Sequence, residues 1–401
     1  MPVNAKLVEM FARLLEESPL LTVEQLPATV WKHAEPAGFH NVAIYVVDLR
    51  QEVLHLLGKD GPPGRTDHRE PALPIEGTLA GRVFETLSPL SEVGSELGRW
   101  WVPLQDNAER IGVMRVDVRN SDTATMRALR VLSLLVAMLL VTKREYSDSF
   151  ARLSRTRPMN LAAELQWNLM PPNEFANEQI SISAVLEPAY EVGGDAFDYG
   201  IDEHVAHLAI FDAMGHDVTA GLAANLAVAA YRNSRRQGAT LSEIGEAIDA
   251  ALLEHLGAPR YVTALIAELD LRTGGLSWLS HGHQPPVLIR DGQGREMPNR
   301  SPGLPLGLDL GLSAVQSEDR LEPGDRLVLF TDGITETHLP GGDEFGLERF
   351  VDFIMRHNAE GLPVPETLRR LVHSILKYHD GDLQDDATVL FLEWLGPSQG
   401  K

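Results

Sequence analysis

The chain contains no cysteine, and this absence excludes several kinds of site at once. Disulfides, thiolate zinc sites, iron–sulfur clusters and a cysteine nucleophile all require that side chain. The sequence also lacks a Gly-rich phosphate loop ending in Lys-Ser/Thr and a Gly-x-Ser-x-Gly nucleophile elbow. Kinases, P-loop NTPases and serine hydrolases depend on those motifs, so the sequence argues against these classes.

Long apolar runs are also scarce. The longest apolar run, residues 131–141 with a single Ser133, is too short to cross a bilayer, and no secretory signal is evident. We therefore expect a cytoplasmic protein with no membrane partner and a buried helix at this run; the missing cysteines agree with a reducing compartment.

The charge of the chain argues against nucleic acid as a partner. Against 35 basic residues stand 57 acidic ones, a net charge of −22. Residues 146–401 carry 19 basic and 38 acidic side chains, so most of the excess lies there. A protein that binds nucleic acid needs the opposite sign, whereas acidic clusters can hold metal ions or simply form a solvated surface.

The first third of the chain predicts a domain with mixed helices and strands. Apolar periodicity predicts helices over 3–17, 29–40, 79–87 and 123–145, and strands over 41–48, 52–57, 100–104 and 111–118. This order resembles a GAF domain over residues 5–145, through residues 42–48, 81–84, 101–104 and 111–118. The resemblance implies a sensory domain that binds a small-molecule ligand or pairs two copies. No residue identifies the ligand, and Trp100 and Trp101 are expected in the core.

Residues 146–175 are predicted to form a helical linker, interrupted by Pro158. From residue 176 to 396 the pattern changes to many strands, with helices in separate groups at 218–236, 241–256, 346–357 and 364–378. Such grouping predicts an α+β sandwich, with sheets at the centre and helices outside. One of its strands is expected over 312–316.

Four short acidic turns stand out in this second region. They place Asp195, Asp212, Asp332 and Asp385 at strand ends beside small residues. If the turns converge, their carboxylates repel one another unless cations are present, and hard divalent ions favour such oxygen ligands. The alternative is that these are ordinary turn residues, with Asp212 or Asp217 capping the helix that follows.

Residues 178–394 resemble the PPM-type serine/threonine phosphatases of the bacterial SpoIIE/RsbU-like branch. The matching stretches are residues 192–198, 212–216, 282–286, 303–307, 324–336 and 385–389, in the order of that family. The lead-in at 164–171 also resembles the helix before that domain.

The resemblance implies a centre with two ions, Mn²⁺ or Mg²⁺. Asp212 would bridge both ions; Asp195 and the carbonyl of Ala213 would serve one, and Asp332 and Asp385 the other. Asp386 would support these ligands from behind. The implied reaction is in-line attack of an ion-activated water on phosphorus, without a phosphoenzyme.

The expected enzyme is a protein-serine/threonine phosphatase, regulated by the GAF-like domain and homodimeric. Its expected partner is a phosphorylated regulatory protein, such as an anti-sigma-factor antagonist. A catalytically silent sensor or scaffold is the alternative. Residues 341–345 spell the diguanylate cyclase signature Gly-Gly-Asp-Glu-Phe, but they lie in a Pro-Gly loop without the hairpin which that fold requires. The pair His281 and His283 is interpreted as structural, because no third histidine or thiolate lies nearby in sequence.

Overall fold

The computed structural model describes residues 3–58, 71–92, 97–187, 189–191, 193–215, 217–256, 260–310, 314–336, 345–359, 363–378 and 385–398. The predicted motif residues Val192 and His216, the cyclase-like residues 341–344, and Gln384 lie outside these ranges. The chain divides into two units, Met1–Pro158 and Met159–Lys401.

In its described residues, the first unit combines five α-helices with one antiparallel sheet. Its helices are α1 (Val3–Glu17), α2 (Leu26–Ala34), α3 (Leu79–Thr86), α4 (Thr123–Arg144) and α5 (Asp148–Ser154). Its strands are β1 (Phe39–Val47), β2 (Val53–Leu56), β3 (Leu73–Pro74), β4 (Leu90–Glu92), β5 (Gly98–Asp106) and β6 (Glu109–Val118). The six strands lie in the order β3-β2-β1-β6-β5-β4.

Apolar side chains of β1 pack on both faces of this sheet. Ile44 and Val46 pack with α1, α2 and α4, whereas Ala43 and Tyr45 pack with α3 on the opposite face. Side chains of a strand alternate between faces, so a strand covered on both sides reads as a continuous apolar run. Trp101 is buried, as expected for a core residue.

Two sequence predictions fail in detail in this unit. The helix expected over 29–40 ends at Ala34, because Pro36 lies in a short 3₁₀ turn and β1 begins at Phe39. On α1 the sequence predicts a buried face of Val8, Phe11, Leu14 and Leu15, but Met10 and Leu14 are the buried residues, while Val8 and Leu15 are exposed. The apolar run at 131–141 belongs to α4, whose 22 residues have the length and mean hydropathy of a membrane-crossing helix. Core helices pass the same test, and this helix buries nine of its residues.

The segment predicted as a linker contains two helices. One is α5, and the other is α6 (Leu161–Leu169). Residues between them, including Pro158, are non-helical, as proline at this position predicts. The boundary between the two units falls directly after this proline, so α6 belongs to the second unit.

The described part of the second unit contains α6 and five further α-helices around two antiparallel sheets. The helices are α7 (Val218–Arg236), α8 (Leu241–Leu256), α9 (Asp332–Thr335), α10 (Gly346–Ala359) and α11 (Val364–Tyr378). The strands are β7 (Glu174–Ala176), β8 (Ile180–Glu187), β9 (Asp195–Asp202), β10 (Val205–Ala213), β11 (Val262–Asp270), β12 (Gly275–His281), β13 (Val287–Arg290), β14 (Gln293–Glu296), β15 (Ser317–Arg320), β16 (Arg326–Phe330) and β17 (Ala387–Trp394).

The two sheets face each other, and helices cover their outer sides. One sheet has the order β15-β12-β11-β10-β9, and the other β14-β13-β16-β17-β8-β7. In β10, Leu208 and Ile210 belong to the core shared by both sheets, whereas Ala209 and Phe211 pack against α7 and α8. The outer face of the second sheet packs against α10 and α11. The predicted sandwich flanked by helices is confirmed. Of the strand expected over 312–316, residues 312 and 313 lie outside the described residues, and residues 314–316 precede β15, which begins at Ser317.

Candidate active site

Asp195 and Asp212 lie side by side at one end of the first sheet. Asp195 is the first residue of β9, and it faces Asp212, next to last in β10, in the register of the two strands. Asp195 is only 2% exposed. The alternation of β10 explains the placement, since its apolar residues fill the core until the strand reaches this carboxylate.

Thr331 joins this pair to the second sheet. It follows the last residue of β16, and its hydroxyl donates a hydrogen bond to Asp195 Oδ2 over 2.6 Å. The hydroxyl oxygen of Thr331 also accepts a hydrogen bond from the Thr388 amide of β17 over 2.9 Å. Asp332, the first residue of α9, therefore lies at the same edge of the molecule as the Asp195–Asp212 pair.

Asp386 fastens a further loop to the site. Its buried carboxylate accepts hydrogen bonds from the amides of Gly193, Gly194 and Asp195. Gly194 in turn accepts from the amide of Ala213 over 3.0 Å. A carboxylate that receives several amide donors immobilises the loop that offers them, so Asp386 fixes the turn that carries Asp195.

Glycine is required at two points of this assembly because backbone segments approach closely. A Cβ on Gly194 would lie 2.2 Å from the carbonyl oxygen of Ala213. A Cβ on Gly333, directly after Asp332, would lie 2.0 Å from the carbonyl oxygen of Asp386. Any larger residue would push the acidic loops apart.

Burial and mutual repulsion raise the pKa values of the clustered carboxyls. Burial, together with the charges of Asp332, Asp385 and Asp386, raises the pKa of Asp212 to about 7. The pKa of Asp195 is well above its usual range because of burial and the charges of Asp386 and Asp212. Burial and Asp385 also raise the pKa of Asp332. The protein alone therefore does not compensate this concentration of negative charge.

The donor set fits hard divalent cations. Carboxylate oxygens and a backbone carbonyl are the ligands such ions prefer, and the raised pKa values show that the site lacks positive charge. Within the described part of the chain, no three of these side chains converge closely enough to form a ready-made ligand cluster. Asp385 is exposed, and its carboxylate accepts from the Asp386 amide. Bound ions would therefore have to draw the side chains inward.

A second set of residues lies next to Asp212. The sequence predicted a structural role for His283 but did not indicate its place beside the acidic pair. Thr263 of β11 faces Asp212, and its hydroxyl lies 2.8 Å from Nδ1 of the buried His283. The other ring nitrogen, Nε2, lies 3.0 Å from the carbonyl oxygen of Phe330, which can only accept, so Nε2 donates. Burial lowers the pKa of His283 to about 4. This neutral ring spans the two sheets behind the acidic pair, in agreement with the structural role predicted for it.

Two of the predicted helices make specific contacts at the site. Asp217 caps α7 by accepting from the Ala220 amide over 2.8 Å, as expected, and it also pairs with Arg260. Gln166 of α6 is buried and donates to the carbonyl of Asp195. The helix that precedes the sandwich is thus in direct contact with the acidic site.

Residues 202–395 match the family model described as Stage II sporulation protein E (SpoIIE). The chain is 25% identical over 236 residues to phosphoserine phosphatase RsbU of Bacillus subtilis, covering 58% of this chain and 69% of RsbU. It is 26% identical over 190 residues to phosphoserine phosphatase RsbP of the same organism, covering 46% of this chain and 47% of RsbP.

One solved structure resembles the chain over a comparable length. It contains the RsbU and RsbW domains of Rv1364c from Mycobacterium tuberculosis. The identity is 25%, the TM-score 0.48, and the alignment covers 55% of this chain and 62% of that one. The family match spans Asp212, Asp332, Asp385 and Asp386, while Asp195 precedes it.

Proposed function

We propose that the C-terminal unit, of which residues 202–395 match the SpoIIE family model, is a PP2C-type protein phosphatase that uses two divalent ions to hydrolyse phosphoserine or phosphothreonine. One observation carries the proposal. Loops from both sheets bring Asp195, Asp212, Thr331 and Asp386 to a single edge, where burial and mutual charge raise the carboxyl pKa values.

The proposed ion ligands are Asp195, Asp212, the carbonyl of Ala213, Asp332 and Asp385. Bound Mn²⁺ or Mg²⁺ supplies Lewis-acid activation of water and neutralises charge on a phosphoryl group. Asp386 and Thr331 hold Asp195 in place, and Thr263 with His283 supports Asp212. Without positive charge, four carboxylates at one edge would repel a phosphate dianion, so substrate binding depends on the ions.

A phosphorylated regulatory protein is the proposed substrate. The support is the similarity to RsbU and RsbP, both named phosphoserine phosphatases. A small regulatory protein such as an anti-sigma-factor antagonist fits this class. We place the reaction in the cytoplasm, in keeping with a chain that has no cysteine.

The first unit is proposed to be a GAF-like domain that regulates the phosphatase, either by binding a small ligand or by pairing two copies of the chain. Its support is the six-stranded antiparallel sheet with helices on both faces, and an exposed apolar stripe on α4. This stripe comprises Val131, Leu134 and Met138, each 45–47% exposed.

An aryl phosphate assay with Mn²⁺ tests the proposed chemistry. The variant Asp332→Asn keeps the shape of the side chain but removes its charge, and we expect the rate to fall by about 100-fold or more, since ions contribute several kcal/mol to such reactions. The control Asp202→Asn changes an exposed carboxylate at the far end of β9 and should retain the wild-type rate. Equal rates in wild type and Asp332→Asn would refute the metal mechanism.

A further inference from the structure

The carbonyl of Ala213 differs from the other proposed ion ligands because it belongs to the backbone. A carboxylate can adjust its direction through its side-chain rotamers, whereas a carbonyl is directed only by the path of the chain. Ala213 ends β10, and α7 begins at Val218, so the connection between them runs from Met214 to Asp217. The contacts that hold the two ends of this connection therefore decide where the Ala213 carbonyl points.

The first end of the connection is held by the residues that precede β11. The amide of Met214 donates to the carbonyl of Tyr261 over 3.0 Å. This amide shares a planar trans peptide unit with the Ala213 carbonyl, so the two groups point in opposite directions. The Ala213 carbonyl is thereby turned away from β11 and towards Gly194, where its oxygen would lie 2.2 Å from an added Cβ.

Arg260 holds the next peptide unit and the far end of the connection together. Its Nη1 donates to the Met214 carbonyl over 3.3 Å. The same guanidinium donates to both carboxylate oxygens of Asp217, from Nη1 over 3.2 Å and from Nη2 over 2.9 Å. Asp217 also caps α7. One planar, rigid fork thus joins the end of β10 to the start of α7.

Gly215 explains why this connection needs a constraint from outside. Its φ of +94° lies in the left-handed region, which favours glycine. An added Cβ would lie 3.5 Å from Arg260 Nη1, which is ordinary contact, so the conformation rather than the space requires glycine. Glycine also leaves the backbone more conformational freedom than any other residue. The bonds from Arg260 restrict that freedom on the residue directly before it, Met214.

The exposure of the ion pair indicates that its role is local. The side chains of Arg260 and Asp217 are 28% and 53% exposed. Ion pairs with this exposure add little to the stability of the whole domain. Attraction of ions does not explain the arginine either, because a positive charge beside a site for divalent cations opposes their binding.

We propose that Arg260 is a positioning residue for the ion that the Ala213 carbonyl serves. By bridging Met214 and Asp217, it keeps the Ala213 carbonyl directed at the acidic site. This inference rests on the proposed function, because it takes Ala213 as an ion ligand. It also has a distinctive sign. Loss of the positive charge alone would strengthen Mn²⁺ binding, since Asp217 would be left unbalanced, whereas loss of positioning weakens it.

Isothermal titration calorimetry of the full-length protein with MnCl₂ tests this role, since it measures binding without catalysis. We expect Arg260→Gln to weaken Mn²⁺ binding by about 10-fold, the lower end of the usual effect of losing a group that orients a metal ligand. The Tm in EDTA should stay close to that of the wild type, because the pair is exposed. The control Arg272→Gln removes an arginine beside the opposite end of β11, where it lies 3.7 Å from Asp270, and should bind Mn²⁺ as the wild type does.

Two further variants separate bridging from charge. Arg260→Lys keeps the charge but cannot form the fork, so its Mn²⁺ binding should also be weaker than that of the wild type. Asp217→Asn can still cap α7 but loses the ion pair. Because Arg260 and Asp217 act as one unit, combining Asp217→Asn with Arg260→Gln should weaken binding no further than Arg260→Gln does alone.

Three results would overturn the positioning role: unchanged or tighter Mn²⁺ binding in Arg260→Gln, wild-type binding in Arg260→Lys, or additive losses in the double variant. Each of them would leave the proposed phosphatase standing, provided that the wild type binds Mn²⁺. A wild-type protein that binds no Mn²⁺ would overturn the positioning role and the proposed metal chemistry together, so the two failures are distinguishable.

Discussion

Thr331 shows how a single hydroxyl can organise the acidic site. It donates to Asp195 and accepts from the Thr388 amide, so one oxygen holds together a loop of each sheet. The sequence predicts a site residue at the neighbouring Asp332, because an acidic side chain next to glycine indicates a turn. The threonine carried no such signal, although it is fully buried.

We predict that Thr331→Val lowers the affinity for Mn²⁺ or the phosphatase rate by about 10- to 100-fold, the usual effect of losing a group that orients a metal ligand. Valine preserves the shape and removes the hydroxyl. Metal titration of the activity measures the change. The matched control is Thr367→Val, since Thr367 is likewise buried but lies on α11, away from the carboxylates. Unchanged metal dependence in Thr331→Val would show that Asp195 needs no such support.

The raised pKa of Asp212 gives a further prediction, on pH. Its pKa is about 7 in the folded protein, above the ordinary value of 3.8 for an aspartate, so the folded state binds more protons than the unfolded state between these values. Stability without ions should therefore be highest at low pH within this window and fall as pH rises from about 4 to about 7.

Thermal denaturation in EDTA across this window measures that fall in stability. Asp212→Asn should flatten the dependence, and so should added Mn²⁺, because a cation replaces the proton. A Tm that rises across the window in EDTA would contradict the pH prediction.

At the scale of elements, the site depends on how closely β9 and β10 approach at their common end. Gly194 precedes Asp195, and the space for its missing side chain is occupied by the carbonyl of Ala213. Strand pairing fixes the register, with Asp195 opposite Asp212. The loop that enters β9 then needs a residue without Cβ at position 194. The alternation of apolar residues fixes which face of β10 is buried, but not this contact.

We expect Gly194→Ala to destabilise the second unit by about 1–3 kcal/mol, the usual cost of overpacking, and to reduce the phosphatase rate, because the added methyl displaces the Ala213 carbonyl. Urea denaturation and the aryl phosphate assay give the two values. Gly275→Ala is the control, since its nearest neighbour is the Thr273 side-chain oxygen at 3.3 Å rather than a backbone carbonyl. Wild-type stability and rate in Gly194→Ala would mean that the backbone at residues 194 and 213 can separate without cost.

For the whole molecule, the exposed apolar stripe of α4 bears on the proposed homodimer. Val131, Leu134 and Met138 are spaced by three and four residues, so they lie on one face of the helix, while the opposite face packs into the core of the first unit. Half-exposed apolar side chains on one helix face are typical of a surface that a partner covers.

We predict that Leu134→Glu converts a dimer into a monomer, because it places a charge at the centre of the stripe. Sedimentation equilibrium measures the mass, and the phosphatase rate shows whether pairing regulates catalysis. Ala124→Glu introduces the same charge at an exposed position of the same helix and should leave the mass unchanged. A wild-type protein that is monomeric at high concentration would remove the dimer from the proposal.

The amino-acid sequence by itself determined most of the elements. Periodicity along the chain specifies local structure, so the helices α7, α8, α10 and α11 and the strands β1, β2, β5 and β6 were predicted within a few residues. The short strands β7 and β14 were not predicted. The exceptions include α2, which Pro36 ends early, and residues 314–316 of the strand expected over 312–316, which precede β15. The sequence also identified the acidic turns, because Asp beside Gly marks strand ends.

Only the tertiary structure decided how these turns meet. Long-range strand pairing sets Asp195 opposite Asp212, and it brings Thr331 and Asp386 to them from about 120–190 residues away in the chain. The raised pKa values follow from that convergence, as do the supporting roles of Thr263, His283 and Gln166. No local pattern encodes such contacts, because burial and charge interactions depend on distances in space rather than on spacing along the chain.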